Sequence, residues 1–354
     1  MINNSNRTAV LLVNVGTPDE PTVPAVCRYL FKFLNDRRVI DLPLVLQKLL
    51  VNLIIVPFRA PKSAKLYQML WTPDGSPLTV NAEKNRSRLQ EALGEEFEVL
   101  VAMRYENPSL RKVLRQIRDS GFGRLMVIPV FPQYASSTTG TVAQFVFREI
   151  SGWEVIPELT MINQFYDHPL FIRAFSERIK EHQPETWDHL IFSYHGLPVR
   201  QIRKVHPRVN PGECSCELAL PAHGRFCYRA ACYETTRLLA GALNLSKERY
   251  SVAFQSRLNK NWLEPFTDAT LVKLAKEGHK RVLVVAPAFV ADCLETTVEI
   301  GIEYQNLFEK HGGERVQLVE SLNDHPLWID TLKEIIKHGA QSIEYRAKQR
   351  TRIT

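Results

Sequence analysis

The sequence predicts an α/β protein with two pseudo-symmetric, doubly wound parallel sheets. Short apolar runs alternate with amphipathic stretches over 354 residues, which is more than one hydrophobic core usually serves. The second half also repeats landmarks of the first. Residues 13–18 are echoed by residues 193–198, and residues 167–172 by residues 324–329. Two similar domains that face a common cleft explain both observations.

The elements follow from the apolar runs and the turn residues between them. We place the domains at residues 1–165 and 166–354. Buried strands are predicted at residues 9–15, 98–103, 124–130, 190–192 and 281–286. Ligands bind outside the carboxyl ends of such strands, so the loops that follow them are the first place to look for a site.

The amino-acid composition and net charge narrow the classes of molecule that the protein binds. The net charge of +7 and the pI near 9.0 fit an anionic partner: a carboxylate ligand, a membrane surface or nucleic acid. No Lys/Arg block with interleaved aromatic residues is present, so we predict no nucleic-acid partner. The polar N-terminus resembles no signal peptide and no apolar run spans a bilayer, so we expect a cytoplasmic protein whose six cysteines stay unpaired.

An unusually apolar segment covers residues 42–58. Its sparse polar residues favour a buried helix. The alternative is an exposed apolar lip for a greasy ligand or a membrane surface. Arg59 and Lys62 follow at once and would meet carboxylates at its rim.

A hydroxyl-rich loop at residues 133–140, which includes Ser137, precedes a helix near residues 142–149. Its side chains and the helix-terminal N–H groups suit an anionic ligand, although a plain helix cap has the same pattern.

Two side chains are candidates for proton chemistry. His195 stands where the strand ending near Phe192 meets its loop, and Glu295 follows the matching strand of the repeat. A histidine and a carboxylate at one sheet edge suit proton abstraction or metal handling. The alternatives are a packed histidine and a carboxylate that merely begins a helix.

Four cysteines cluster in a stretch near residues 200–232: Cys214, Cys216, Cys227 and Cys232. Pro207, Pro211, Gly212, Pro221 and Gly224 indicate a loop insertion, so we expect the thiols to bind metal rather than fill a core. An iron–sulfur cluster, zinc and unligated thiols all remain open.

Several motifs together resemble ferrochelatase, in order, from about residue 10 to about residue 336. They are residues 132–134 with 137–140, then 193–198, 255–257, 262–265 and 292–296. The resemblance implies two Rossmann-like, chelatase-like domains. It also implies an enzyme of the last step of haem synthesis, a lyase-type chelatase that inserts Fe²⁺ into protoporphyrin IX and releases two protons.

The resemblance assigns roles by position. His195 matches the active-site histidine and Glu295 its carboxylate partner, and both would handle the substrate Fe²⁺. The positions matched to porphyrin contacts are Arg59, Lys62, Tyr67, Ser76, Arg104, Tyr105, Ser137, Ser256, Trp262 and Phe289. The chain departs from animal members at Cys293 and Val15, where they carry histidine and methionine.

Some ferrochelatases carry a [2Fe–2S] cluster, which favours that group for the four cysteines of this bacterial-type sequence with its internal insertion. Coproporphyrin ferrochelatase, a cobalt or nickel chelatase and a non-catalytic tetrapyrrole carrier remain alternatives. The apolar segment favours protoporphyrin and peripheral contact with the inner face of the cytoplasmic membrane. Upstream and downstream haem-pathway proteins are possible partners.

Overall fold

The computed structural model describes residues 4–206, 208–210 and 213–350, with side chains as far as residue 340. Pro207, Pro211 and Gly212, which contribute to the predicted insertion, lie outside the described residues.

Each half of the chain forms one four-stranded parallel sheet. The first sheet has the order β2-β1-β3-β4, with β1 Thr8–Asn14, β2 Phe97–Met103, β3 Arg124–Pro129 and β4 Glu158–Met161. The second has the order β6-β5-β7-β8, with β5 His189–His195, β6 Tyr250–Gln255, β7 Arg281–Val285 and β8 Arg315–Leu318. The two orders correspond strand by strand, so the predicted α/β class and the internal repeat are confirmed.

Helices connect the strands in both halves. Those of the first half are α1 Val23–Leu34, α2 Leu44–Leu49, π1 Leu50–Ile55, α3 Val56–Leu70, α4 Pro77–Leu93, α5 Leu110–Ser120, π2 Ser136–Gly140 and α6 Thr141–Ile150. Those of the second half are α7 Pro169–Glu181, α8 Val199–Val205, α9 Tyr228–Ala242, α10 Thr267–Lys276, π3 Leu294–Tyr304, α11 Gln305–Lys310 and α12 Pro326–Arg350. Short 3₁₀ turns occur at Asn4–Asn6, Pro184–Thr186, Ser215–Glu217, Ala222–Phe226 and Lys247–Arg249.

Two of the π-helices occupy matching places in the repeat. π2 follows β3 and π3 follows β7, so each lies beyond the carboxyl end of an inner strand of its sheet. Wide helical turns of this kind are rare and are often found at functional sites.

One apolar cluster joins the two halves. It contains Val10 and Leu12 of the first sheet, Phe192 of the second, and Trp328 of α12, which is fully buried. Helix α12 packs against both α4 and α7. The continuous core fixes the two sheets relative to each other, while the division at residue 165 stays a prediction.

The favoured interpretation of residues 42–58 as a buried helix is wrong. Val45, Leu53 and Phe58 are 72%, 65% and 73% exposed, because only one face of the continuous helix Leu44–Leu70 packs inward. Its best window has a mean hydropathy of 1.5 and is 22% buried, so by length and composition alone this helix would pass for a membrane span. The exposed-lip alternative is the one that the structure supports.

The insertion also differs from expectation. It begins with helix α8, and Cys232 lies within α9 rather than on a loop. Cys216, Cys227 and Cys232 are buried in the core cluster shared by the two halves. These three side chains therefore do fill a core: α9 carries Cys232 inward, Cys227 caps the start of that helix, and Cys216 packs from the 3₁₀ turn Ser215–Glu217.

A half-buried carboxylate, that of Asp36, joins the end of α1 to the first sheet. Asp36 Oδ2 accepts hydrogen bonds from Arg104 Nη2 at 2.7 Å, Tyr105 Oη at 2.9 Å and Thr141 Oγ1 at 2.6 Å. Burial by itself raises the pKa of Asp36, but the hydrogen bonds from Thr141 and the Arg38 amide, with the Arg104 charge, lower it overall. Ionised Asp36 thus stabilises the fold.

We predict that Asp36→Asn lowers the free energy of unfolding by about 1.5–3 kcal/mol, the range for hydrogen bonds to a charged group. Because the folded pKa is lowered, the difference from wild type should be full above the unfolded aspartate pKa of about 3.9 and shrink as pH falls further. Denaturant titrations at several pH values measure it. Asp119→Asn, at an exposed carboxylate of α5, is the control; a deficit unchanged in acid would contradict the prediction.

Candidate active site

The site begins where β5 ends. Residue Gly196 follows His195, and its N–H donates to the carbonyl oxygen of Gln255 at 2.8 Å. A Cβ atom at position 196 would lie 2.9 Å from that oxygen and 3.2 Å from Trp262 Cε3. Only glycine therefore lets the chain turn this close to the end of β6.

The ring of His195 lies beside two aromatic side chains. Its centroid is 6.2 Å from that of Trp262 and 6.3 Å from that of Phe289. His195 Nδ1 lies 2.6 Å from the Gly196 carbonyl oxygen. A carbonyl can only accept, so Nδ1 carries the proton and Nε2 of the neutral ring keeps its lone pair.

Gln255 connects His195 to Glu295. It pairs in register with His195 across β5 and β6. Its Nε2 donates to the Glu295 carbonyl oxygen at 2.7 Å, and its Oε1 accepts from Ser193 Oγ at 2.7 Å. The sequence contained Gln255 in a motif, but only the structure shows that this side chain joins the two loops.

Glu295 begins π3 in apolar, aromatic surroundings. Burial and the adjacent Glu295 carboxylate, which is hydrogen-bonded to the thiol, raise the pKa of Cys293. Burial also raises the pKa of Tyr29 and Tyr67, and Glu295 adds to the effect. The rings of Tyr29 and Tyr67 meet edge to face at 6.3 Å. Glu295 thus lies beside three side chains, those of Cys293, Tyr29 and Tyr67, whose raised pKa values keep them protonated and neutral.

Two more carboxylates on π3 were missed by the sequence analysis. Glu299 accepts from Ser256 N at 2.8 Å, Ser256 Oγ at 2.5 Å, Tyr304 Oη at 2.7 Å and Gln255 Nε2 at 3.3 Å. Burial and the neighbouring Glu299 raise the pKa of Glu303. The spacing of four from Glu295 to Glu299 to Glu303 was the available signal, since it is close to one helical turn.

The predicted porphyrin contacts on α3 and at the start of α4 differ in how far they are buried. Tyr67 faces inward in the cluster with Tyr29, whereas Arg59 and Lys62 are exposed on α3. Ser76 is buried at the start of α4, with its Oγ 3.2 Å from Thr17 Oγ1. Ser137 is half-buried in π2.

Arg104 and Tyr105 have a different setting from His195. Both side chains bond Asp36, and the Arg104 guanidinium lies 4.6 Å from the Tyr105 ring centroid and 4.7 Å from that of Phe145. They line a separate cavity that His195 does not line. The Tyr105 ring nevertheless belongs to the apolar cluster of Tyr67.

The four cysteines are neighbours and none forms a disulfide. Burial, followed by the adjacent thiol of Cys214, which hydrogen bonds to it, raises the pKa of Cys216 despite the opposing charge of Arg229. Burial and the nearby Cys227 and Cys216 also raise the pKa of Cys232. Across the residues that the structure describes, no three His, Cys, Asp or Glu side chains are arranged to hold a metal ion. A metal centre is therefore not confirmed.

Comparison with known proteins identifies the family of this chain. The profile of the ferrochelatase family matches residues 7–340, nearly the whole chain. The chain belongs to the ferrochelatase family. A ferrochelatase of Coxiella burnetii (strain Dugway 5J108-111) is 42% identical over 355 residues, which cover 96% of this chain and 96% of the relative. A ferrochelatase of Legionella pneumophila (strain Lens) is 41% identical over 332 residues, covering 93% and 98%.

Solved structures agree on the fold. SirB from Bacillus subtilis with Fe³⁺ superposes with a TM-score of 0.56 at 12% identity, over 96% of this chain and 97% of that one. The sirohydrochlorin chelatase SirB from Bacillus subtilis subspecies spizizenii, in complex with cobalt, gives 0.54 at 11% identity. The prediction of a haem-synthesis ferrochelatase, and hence of an enzyme with a chelatase-like fold, is confirmed at the level of the family.

We predict different effects on stability when the same change, Glu to Gln, is made at Glu299 and at Glu303 of this ferrochelatase. Glu299→Gln should lower the free energy of unfolding by about 1.5–3 kcal/mol, because the Glu299 side chain accepts four hydrogen bonds there and the amide cannot accept all of them. Glu303→Gln should leave stability equal or higher, because a raised carboxyl pKa means that its charge is disfavoured in the fold. Thermal and denaturant unfolding at neutral pH measure both. Equal losses in the two variants would contradict the assignment of Glu299.

Proposed function

We propose that the protein inserts Fe²⁺ into protoporphyrin IX, with His195 as the group that accepts the pyrrole protons. The observation that carries the proposal is the tautomer of His195. Its Nδ1 is hydrogen-bonded to the Gly196 carbonyl, so Nε2 is the basic atom, on a ring that lies beside Trp262 and Phe289. A free-base porphyrin must lose two protons as the metal enters, and the lone pair of a neutral imidazole suits that transfer.

The acidic row on π3 supports an exit for those protons. Glu295 is tied to the end of β6 through Gln255, and Glu299 and Glu303 follow at intervals near one turn. Glu299 is hydrogen-bonded among polar groups, and Glu303 is exposed with a raised pKa. A carboxyl with a raised pKa takes up and releases protons closer to neutral pH. We infer that protons pass from His195 along this row to water, and that Fe²⁺ meets His195 and Glu295.

The surroundings suit a large flat ligand with carboxylates at its edge. Trp262 and Phe289 offer aromatic faces, and Tyr67 lies on the inward side of α3. Arg59 and Lys62 lie on the exposed side of the same helix, where they would meet propionate groups. Ser76, Ser137 and Ser256 are proposed as further polar contacts. Arg104 and Tyr105 would support the wall of the cleft from behind, since both side chains are hydrogen-bonded to Asp36.

The exposed apolar lip favours protoporphyrin over coproporphyrin. Coproporphyrin carries four carboxylates, whereas protoporphyrin replaces two of them with apolar vinyl groups. Leu49, Leu53 and Ile54 are each more than half exposed, and such a surface is costly in water unless something apolar covers it.

The test is an anaerobic assay in which Fe²⁺ is offered with each porphyrin separately. We expect turnover of protoporphyrin to exceed that of coproporphyrin. His195→Ala should abolish insertion while porphyrin binding persists, and Glu295→Gln should lower turnover by about 100-fold or more, the scale of general acid–base catalysis. Preference for coproporphyrin would overturn the choice of substrate. Near-normal turnover in His195→Ala would overturn the assigned base.

We propose that the same lip lies on a membrane surface, which makes this a cytoplasmic protein with peripheral contact. Replacing Leu49, Leu53 and Ile54 with Ser should reduce co-sedimentation with anionic vesicles and weaken use of protoporphyrin. The variant should fold normally, because these side chains are 53%, 65% and 55% exposed. The matched control is Val155→Ser with Ile156→Ser, which removes exposed apolar side chains elsewhere. Unchanged sedimentation of the triple variant would contradict the proposal.

We propose that Cys214, Cys216, Cys227 and Cys232 bind a [2Fe–2S] cluster, with zinc as the alternative. The four thiols are unpaired neighbours, and Arg229 Nη1 lies 3.3 Å from Cys216 Sγ, where its charge favours a thiolate. A bound metal cation would lower the thiol pKa values that burial raises, because metal ligation deprotonates cysteine. The cluster would supply one-electron redox chemistry, and no step of metal insertion is assigned to it.

Protein purified anaerobically should then be red-brown, with about two irons and two acid-labile sulfides per chain. Changing any one of the four cysteines to Ser should bleach it. Cys27→Ser is the control, because Cys27 lies in α1, away from the other thiols in the sequence. Colourless protein with one zinc per chain would replace the cluster by zinc, and absence of metal would refute both.

A further inference from the structure

The peptide group between His195 and Gly196 is held from two sides. Its N–H, that of Gly196, donates to the Gln255 carbonyl oxygen at 2.8 Å. Its carbonyl oxygen, that of His195, accepts a hydrogen bond from Tyr228 Oη at 2.9 Å. The first bond belongs to the pairing of β5 with β6, whereas the second comes from a side chain 33 residues further along the chain. The second bond therefore depends on where α9 packs.

The Tyr228 hydroxyl takes the place of a strand at the His195 carbonyl. Along an extended strand, the backbone groups of successive residues point alternately to the two neighbouring strands. Because the Gly196 N–H points to β6, the His195 carbonyl points to the side of β7. The pairing of β7 with β5 extends as far as Val285 opposite Phe192, three residues before His195. Tyr228 thus donates where the sheet has already ended.

The matching carbonyl in the first half of the chain has a backbone donor instead. Val15 corresponds to His195 in the internal repeat, and its carbonyl oxygen accepts from the Tyr105 N–H at 2.9 Å. In the half that carries the histidine, the donor is a side chain at the end of the cysteine-bearing segment. The repeated fold therefore does not by itself account for the bond from Tyr228.

Tyr228 is itself fixed by its surroundings. It is the first residue of α9 and is 6% exposed, in the apolar cluster that also contains Tyr194 and Leu197 on either side of the turn. Cys227 precedes it and Cys232 follows about one helical turn later, and both are buried in the same cluster. A packed ring with few side-chain torsions loses little entropy when its hydroxyl forms a bond.

The orientation of this peptide group bears on the tautomer of His195. Nδ1 of the ring donates to the Gly196 carbonyl at 2.6 Å, so this carbonyl must stay in place for Nε2 to keep its lone pair. Glycine has no side chain that limits rotation about its backbone bonds. An anchor on each side of the preceding peptide group restricts the rotation that would carry the Gly196 carbonyl away from the ring.

We propose that Tyr228 is a positioning residue for metal insertion. Its hydroxyl fixes the peptide group between His195 and Gly196, and thereby keeps the imidazole protonated at Nδ1 with Nε2 free to accept a proton. Tyr228 acts through the backbone of His195 rather than on the substrate. The inference rests on the role of His195 as the base in the proposed function.

NMR of the full-length protein with ¹⁵N-labelled histidine tests the proposal, because the shifts of the two ring nitrogens distinguish the tautomers. Spectra are recorded at about pH 8.5, well above the ordinary imidazole pKa of about 6.5. The His195 signals are assigned by their loss in His195→Ala, and the wild type should show the Nδ1-protonated form. In Tyr228→Phe, a second population protonated at Nε2 should appear. Unchanged His195 signals in that variant would overturn the proposal.

Steady-state kinetics give a second readout. Tyr228→Phe should lower kcat by about five- to tenfold, the scale of one hydrogen bond, and leave the KM for protoporphyrin within about twofold. Tyr194→Phe is the matched control, because it removes a buried hydroxyl that lies 2.8 Å from Thr236 Oγ1, one residue before His195. The control should keep the wild-type tautomer and kcat. An equal loss in the control, or a raised KM with unchanged kcat in Tyr228→Phe, would contradict the positioning role.

A measurement on the wild type covers the case in which Tyr228→Phe does not fold. In an equal mixture of water and heavy water, a slowly exchanging hydroxyl splits the ¹³Cζ signal of its tyrosine in two, and we expect this splitting for Tyr228. A single averaged signal would refute the bond to the His195 carbonyl. The two proposals also fail separately: full turnover by His195→Ala would contradict the assigned base, whereas unchanged imidazole signals in Tyr228→Phe would contradict only the role of Tyr228.

Discussion

The hydrogen bond from the Gln255 side chain to the Glu295 carbonyl is the interaction on which the rest of the site depends. Gln255 ends β6 and lies in register with His195, so its backbone carbonyl receives Gly196 while its side chain reaches the start of π3. Gln255 is 1% exposed, and a bond in such surroundings is strong when made and costly when lost. Sheet register therefore sets where the imidazole and the carboxylate stand relative to each other.

Charge is divided between two packed helices. π3 carries Glu295, Glu299 and Glu303, while α3, which packs against it, carries Arg59 and Lys62 on its exposed face. Glu295, at the start of this row, lies beside aromatic and apolar groups, whereas Glu303, at its end, is exposed to water. This division suits the proposed reaction, in which an apolar porphyrin with carboxylates at its edge would enter on one side and protons would leave on the other.

The helix Leu44–Leu70, which carries the apolar lip, illustrates a limit of prediction from hydrophobic patterns. A nearly continuous apolar run is compatible with a buried helix or with an exposed one, because hydrophobic periodicity says which residues share a face and not what covers that face. Only the packing of α3 against α1 and π3 shows that Tyr67 faces inward and Phe58 outward. The same ambiguity affected the cysteines, since nothing local indicated that α9 would carry Cys232 into the core.

The sequence by itself determined the α/β class and the internal repeat, and it predicted His195, at the end of β5, and Glu295, after β7, as candidate site residues. Those features are local: apolar runs, turn glycines and prolines, and motifs of a few residues define them. The tertiary structure alone decided the link through Gln255, the carboxylate row with Glu299, and the hydrogen bonds that Asp36 accepts from Arg104, Tyr105 and Thr141. Each of these joins residues distant in the chain, and whether a polar atom finds a partner is fixed only when the packed elements bring its neighbours into place.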